Sequence, residues 1–237
     1  MPKWVPPFGR TPCYGPENFC GNTVMMQRLA QIFLAAFALL LIAGGSAALA
    51  HPHVWVTMKS ELVYAPDGTL TGVRHAWTFD EMFSTFATQG IETKKKGEFT
   101  REELKPLAEV NVTSLKEYGY FTYLKAAGKK VPLVDPVDYF LEFKDSALTL
   151  HFMLPLKAPI KSAGFEVEIF DPDYFVDFTF AEKDPVALVS APEKCQLAVA
   201  RPGDAAVQGK PGESFFQQPD AANFGAQFAS RISVKCP

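Results

Sequence analysis

His53–Phe79 reads HVWVTMKSELVYAPDGTLTGVRHAWTF. Two runs, 53–65 and 69–79, alternate apolar or β-branched residues with polar ones and flank Pro66-Asp67-Gly68, which is turn chemistry. They are expected to form an antiparallel hairpin. With Asp67-Gly68 as a two-residue loop, paired positions sum to about 135, so Trp55 faces Asp80 and Val54 faces Glu81. In that register His75 falls beside Ser60, seven residues along the strand from His53 and roughly 23 Å from it at about 3.3 Å per residue.

Working outward, Glu81–Gly90 and Arg101–Tyr118 read as helices. The second has a capping box of Thr100 and Glu103 and a stripe of Leu104, Leu107, Ala108, Leu115 and Tyr118. Pro106 lies inside it and predicts a kink or break. From Asp138 to Phe180, four strand-like runs separated by Lys144-Asp145-Ser146, Ala158–Gly164 and Asp171-Pro172-Asp173 suggest a meander. Residues 201–222, rich in Gly, Pro, Gln and Ala, read as a loop before a last segment ending at Cys236. The expected fold class is α+β: a mostly antiparallel β-sheet assembly in one domain, 51–237, with a helical insertion at about 81–126.

The chain has 237 residues, 48% hydrophobic and 21% charged, enough for a substantial core. Its formal net charge is −3 and its basic residues are scattered, so nucleic acid is not an expected partner. Ile32–Gly45 is an apolar run preceded by Arg28 and followed by Ser46-Ala47-Ala48-Leu49-Ala50, the pattern of a cleaved secretory signal. The run is short for a membrane span, and a retained anchor is the alternative reading. The stretch before it is long for a signal, so translation is read as starting at Met25 or Met26. Cleavage after Ala50 removes 50 of the 237 residues and leaves 187, with 20 Lys+Arg against 25 Asp+Glu. Cys195 and Cys236 remain, an even pair in an exported chain, and a disulfide is expected between them. The product is expected in the periplasm, not spanning the membrane.

Cleavage there exposes His51-Pro52-His53. An α-amine and two imidazoles are nitrogen donors suited to Zn, Ni, Co or Cu. Pro52 has no amide proton, which blocks the square-planar mode that uses the second amide nitrogen. Asp80, carried to the same end by the hairpin register, is a further candidate metal ligand; a helix N-cap is its alternative role. His151, in the later strand, is a possible additional ligand that depends on how the sheets pack. Glu92–Glu103 has the frame of a calcium loop, with Gly97 at position 6 and Glu103 at position 12. Lys94 and Lys96 occupy positions that need oxygen ligands, so a degenerate, EF-hand-like connection that does not bind calcium is expected. Asp171 and Asp173, flanking Pro172, are expected to cap a turn. With no nucleophile-elbow, phosphate-loop or dinucleotide motif in the sequence, an enzyme is not the leading reading.

HPHVWV at 51–56, AWTFDEMFS at 76–84, GEFTREELKPLAEVNVTSLKEYGYFTYL at 97–124, FDPDYFVDF at 170–178 and the late Cys together resemble a family of exported bacterial proteins described as periplasmic components of an uncharacterised ABC-type transport system. The resemblance covers nearly all of the mature chain. Members often carry an acidic loop before GEFT, where this chain has KKKG. The resemblance implies an accessory protein that handles nickel, cobalt or zinc beside an inner-membrane permease. Two alternatives stand next to it: a histidine-brace copper redox enzyme, which needs a third imidazole, and a metal-free protein that docks on a permease.

Overall fold

The computed structural model describes residues 26, 28–34, 52–95, 97–202 and 223–237. Met1–Ala48 and Leu49–Pro237 are separate units. In the first, residues 28–34 are helical, and most of the apolar run and the small-residue stretch after it lie outside the described residues. Among the described residues, no helix is long and apolar enough to cross a membrane.

The second unit is α+β and mostly antiparallel. Its first sheet has the order β5-β6-β2-β1-β8, where β1 is Val54–Tyr64, β2 Leu70–Phe79, β5 Val137–Lys144, β6 Ala147–Ile160 and β8 Val176–Phe180. β9 (Val186–Val189) continues the outer edge of β1 beyond β8, and both lie parallel to β1. The second sheet has the order β10-β11-β7-β3-β4: Gln196–Ala200, Ser230–Lys235, Gly164–Ile169, Thr122–Ala126 and Lys129–Val131. Between β2 and β3 come α1 (Glu81–Ala87), α2 (Arg101–Leu115) and a 3-10 segment, Lys116–Phe121. The expected insertion is therefore helical only as far as Phe121, and residues 122–126 are a strand of the second sheet.

The hairpin forms in the expected register. Val56 opposes Phe79, Ser60 opposes His75 and Val63 opposes Gly72, with a shift only at Tyr64 opposite Leu70, next to the turn. Alternation follows: Val54, Val56, Met58, Ser60, Leu62 and Tyr64 are buried, while the residues between them face out. On β6, Leu148, Leu150, Phe152, Leu154 and Leu156 are buried in the same way. Each such aliphatic or aromatic side chain taken out of water stabilises the fold by roughly 1.5–3 kcal/mol. The core runs through both sheets and α2, where Leu104, Ala108 and Val112 face inward.

Two expectations fail for identifiable reasons. The four runs of 138–180 are strands, but they do not form a meander. β5 and β6 are neighbours, whereas β7 crosses to the second sheet and β8 returns beside β1. Alternation marks a strand and its buried face; it does not name the neighbour. α2 also runs through Pro106 without interruption. The ring removes the donor to the Glu102 carbonyl. That loss is offset by the capping box, in which Thr100 Oγ1 accepts from Glu103 N and Glu103 Oε2 accepts from Thr100 N, and by the three buried side chains that follow.

Cys195 and Cys236 form a disulfide across 41 residues of sequence, joining the start of β10 to the end of β11.

Candidate functional site

The Val54 end of β1 gathers the candidate residues. The N–H groups of His53 and Val54 both donate to the Phe175 carbonyl, at 2.9 and 3.3 Å, where β8 begins. The His53 ring stacks on Phe175 with centroids 4.6 Å apart. Two residues on, Trp55 N donates to Asp80 Oδ2 at 3.0 Å, and Asp80 Oδ1 accepts from Phe83 N at 2.8 Å. Asp80 is thus the N-cap of α1 and also ties that helix to β1. Each carboxylate oxygen keeps acceptor capacity beyond the one N–H it receives.

His51 lies outside the described residues. Among the described residues no group of three His, Cys, Asp or Glu side chains is close enough to hold a metal ion. His151 opposes Ala76 of β2, which in turn opposes Lys59 of β1. That is six residues along β1 from His53, about 20 Å at 3.3 Å per residue, and two strands across. The register brings His53 and Asp80 to one end and leaves His151 elsewhere. There its ring stacks on Phe140 and Nε2 sits 3.5 Å from Glu142 Oε2 without forming a hydrogen bond. Burial lowers its pKa, against the opposing pull of Glu142.

His75 is a core residue. It is 1% exposed, with Nδ1 2.9 Å from Ser60 Oγ and Nε2 3.3 Å from Thr122 Oγ1, so it bridges the two sheets. Burial pushes its pKa down to about 3. Such an imidazole is neutral and sealed from solvent.

Behind His53 and Phe175, a cavity of about 500 Å³ opens between the first sheet, α1 and the end of α2. Trp77, Phe83, Leu115, Phe121, Leu150 and Phe178 supply its apolar wall. This is within the usual size of ligand sites, about 300–1,000 Å³. One wall residue is held in an unusual backbone state: Gly119, Tyr120 and Phe121 follow one another at φ 59°, 56° and 47°. Tyr120 and Phe121 have side chains, so left-handed φ costs each of order 1–2 kcal/mol. Both are buried, and Tyr120 Oη donates to Asp135 Oδ1 at 2.9 Å, which holds the turn. The reward is a Phe121 ring set against Phe178, 5.3 Å away.

The mouth is acidic and aromatic, with Asp171, Asp173, Phe175 and Tyr118. Asp171 serves the turn role expected of it. Oδ1 accepts from Asp173 N, and Oδ2 accepts from Phe175 N and Val176 N, all at 3.0 Å. Burial raises its pKa, Asp173 adds to the rise, and the three N–H groups oppose it. The cavity was not visible as a site in the sequence, because its walls come from five separate segments. The available signal was the face of α2 that places Asn111 and Ser114, both lining residues, beside Leu115.

These features define a class: a two-sheet α+β domain whose hairpin carries an open, apolar-floored cavity at one end. The sequence profile described as "Protein of unknown function (DUF1007)" matches residues 36–236, and this chain belongs to that family. It is similar to an uncharacterized protein of Haemophilus influenzae, 27% identical over 194 residues that cover 79% of this chain and 92% of the relative. It is also similar to an uncharacterized 15.5 kDa protein in the trpE 3′ region of Spirochaeta aurantia, 31% identical over 93 residues, 39% of this chain and 66% of the relative.

Proposed function

We propose that the chain is an exported, periplasmic accessory component of a nickel, cobalt or zinc transport system. It binds the metal at its mature N-terminus and exchanges it with an inner-membrane permease of ABC or related type. His51, through its α-amine and imidazole, and His53 would hold the ion, with Asp80 as a third residue; these donors suit late first-row metals. The observation that supports this most is the placement of His53 at the hydrogen-bonded head of β1. Its ring is set by Phe175, and the Asp80 carboxylate is anchored two residues away. Residues preceding β1 therefore leave from a fixed, partly exposed point.

The copper-enzyme alternative loses support from the same geometry. Its third imidazole would have to be His75, which is sealed between the sheets, or His151, which the register keeps distant. The metal-free docking alternative is favoured by one observation: Met82 and Phe86, at i and i+4 on α1, are 67% and 69% exposed. The connection between α1 and α2 is read as a degenerate calcium loop closed by its own backbone. Glu103, at the position where such loops place a bidentate ligand, accepts instead from Lys94 N and Thr100 N.

The test is native mass spectrometry of the protein from its own periplasm, followed by metal titration. A chain beginning at His51 that takes up one Ni, Co or Zn, loses it with His53→Ala and keeps it with His151→Ala is the expected result. A different N-terminus, or no uptake on titration, overturns the metal reading and leaves the docking one.

A further inference from the structure

We propose that the cavity behind Phe175 is a binding site for a small hydrophobic organic cation, an aryl-alkyl ammonium in chemical class. The site is independent of the metal reading. Its floor is apolar and deep enough for a ring: Phe83, Leu115, Leu150 and Phe178 surround about 500 Å³. Its mouth carries one sign of charge, since Asp171 and Asp173 line it and no Lys, Arg or His is among the described lining residues. Asp173 is exposed and Asp171 is buried, so a headgroup at the mouth meets the first directly and the field of the second through a poorly solvated wall.

Two aromatic rings complete the mouth. Phe175 is 47% exposed and Tyr118 50%, and ring faces beside carboxylates are the surroundings that bind ammonium groups. The Tyr118 ring is fixed by stacking on Phe121, 5.2 Å away, and Phe121 is one of the residues held at left-handed φ. Backbone strain of this kind clusters at ligand-facing surfaces, and here it fixes a ring of the cavity wall. The floor also contains Trp77, 1% exposed, whose indole N–H makes no hydrogen bond among the described residues. That N–H is sealed from the cavity, so the indole gives the wall its shape and not a donor to a ligand.

Charge complementarity decides between ligand classes. A carboxylate or phosphate ligand would meet two acidic groups and no cation, and a neutral apolar ligand would leave the acidic mouth unused. The test titrates the full chain, with excess chelator present so that metal binding plays no part, using 4-phenylbutylamine, 4-phenylbutanol and 4-phenylbutyrate. Binding is read by calorimetry and by tryptophan fluorescence. The amine should bind about tenfold more tightly than the alcohol, and the carboxylate most weakly. Asp173→Asn, a change at an exposed side chain, should bring amine and alcohol to within about twofold of one another while the fold is unchanged. Leu115→Trp should abolish binding of all three by filling the cavity. Equal binding of the three ligands, a preference for the carboxylate, an Asp173→Asn protein that keeps the amine preference, or no binding at millimolar concentration each overturns the proposal.

Discussion

The two ends of β1 are built differently. At the Tyr64 end the chain is locked covalently: Cys195–Cys236 lies beside Tyr64, whose hydroxyl is 3.9 Å from Cys236 Sγ. The hairpin turn there is closed by Gly68 N donating to the Ala65 carbonyl and by Asp67 Oδ1 accepting from Thr69 N. At the Val54 end there is no covalent tie among the described residues. Asp80 caps a helix of two turns, Phe175 and His53 stack, and the 171–173 corner is held by backbone donors to one carboxylate. The end fastened by a bond carries a cleft of about 420 Å³ with Asp67, Lys161 and Ser162 in its lining, while the end fastened by hydrogen bonds carries the more apolar cavity of about 500 Å³. Ligand-facing surfaces are commonly drawn from the less stable parts of a fold, and here both parts lie on one strand.

Breaking the closed end should cost most. Cys195→Ala, or reduction of the wild type, removes a cross-link over 41 residues and is expected to lower stability by roughly 4 kcal/mol, read from denaturant midpoints with and without reductant. A loss under about 1 kcal/mol would mean that the Tyr64 end is held by packing alone.

The open end has its own rigid point. Gly225, in the 3-10 segment Phe224–Phe228, donates its N–H to the Pro172 carbonyl, and a Cβ there would run into the Asp171 carbonyl. Gly225→Ala is therefore expected to cost about 3 kcal/mol and to disturb the cavity mouth, because the obstacle is backbone that must move. An unchanged melting temperature would show that the corner gives way freely.

Midway between the ends, His75 sets a pH dependence. Its folded pKa is depressed to about 3, against about 6.5 unfolded. Below about pH 6.5 the unfolded chain takes up a proton that the native core refuses. This contribution to stability is complete above that range and is lost as pH falls, by up to about 1.4 kcal/mol per unit until the folded pKa is reached. His75→Gln should flatten the urea midpoint between pH 7 and 5, a difference of about 2 kcal/mol. Parallel wild-type and variant curves would contradict a neutral, sealed imidazole.

The smallest expected effect separates two roles of Asp80. Asp80→Ala removes the cap and should cost about 1 kcal/mol, while Asp80→Asn keeps a capping oxygen and should cost a few tenths. If Asp80→Asn is stable yet weakens metal uptake, the carboxylate acts at the open end beyond holding the helix.

What the sequence made legible follows from range. The β1–β2 register was readable because a tight turn and two-residue periodicity fix it locally, and it holds to within a few residues of the turn, where it slips at Leu70. The α2 cap and the Asp171 turn were readable for the same reason. The partners of β7 and β8 were not, since nothing local in 164–180 says that one crosses sheets and the other lies parallel to β1. The α2 stripe was read one turn too far: Tyr118, expected on it, lies past the end of the helix, where Gly119 begins a left-handed turn. Of the candidate metal residues, the sequence brought Asp80 to the head of β1 and offered its N-cap role, but it could not show that the Trp55 N–H engages the same carboxylate. The cavity stayed hidden because its walls meet only once the first sheet, α1 and the end of α2 have come together.

The position of β11 carries a consequence for how the molecule is made. It is the strand nearest the C-terminal end of the chain, yet it lies inside the second sheet, paired to β10 on one side and β7 on the other. A chain produced or threaded N-terminus first can pair β1 with β2 and β5 with β6 early, but its second sheet stays divided until Ser230–Lys235 arrives. Completion of the second sheet thus waits for Ser230–Lys235, long after the first sheet has its central strands in hand.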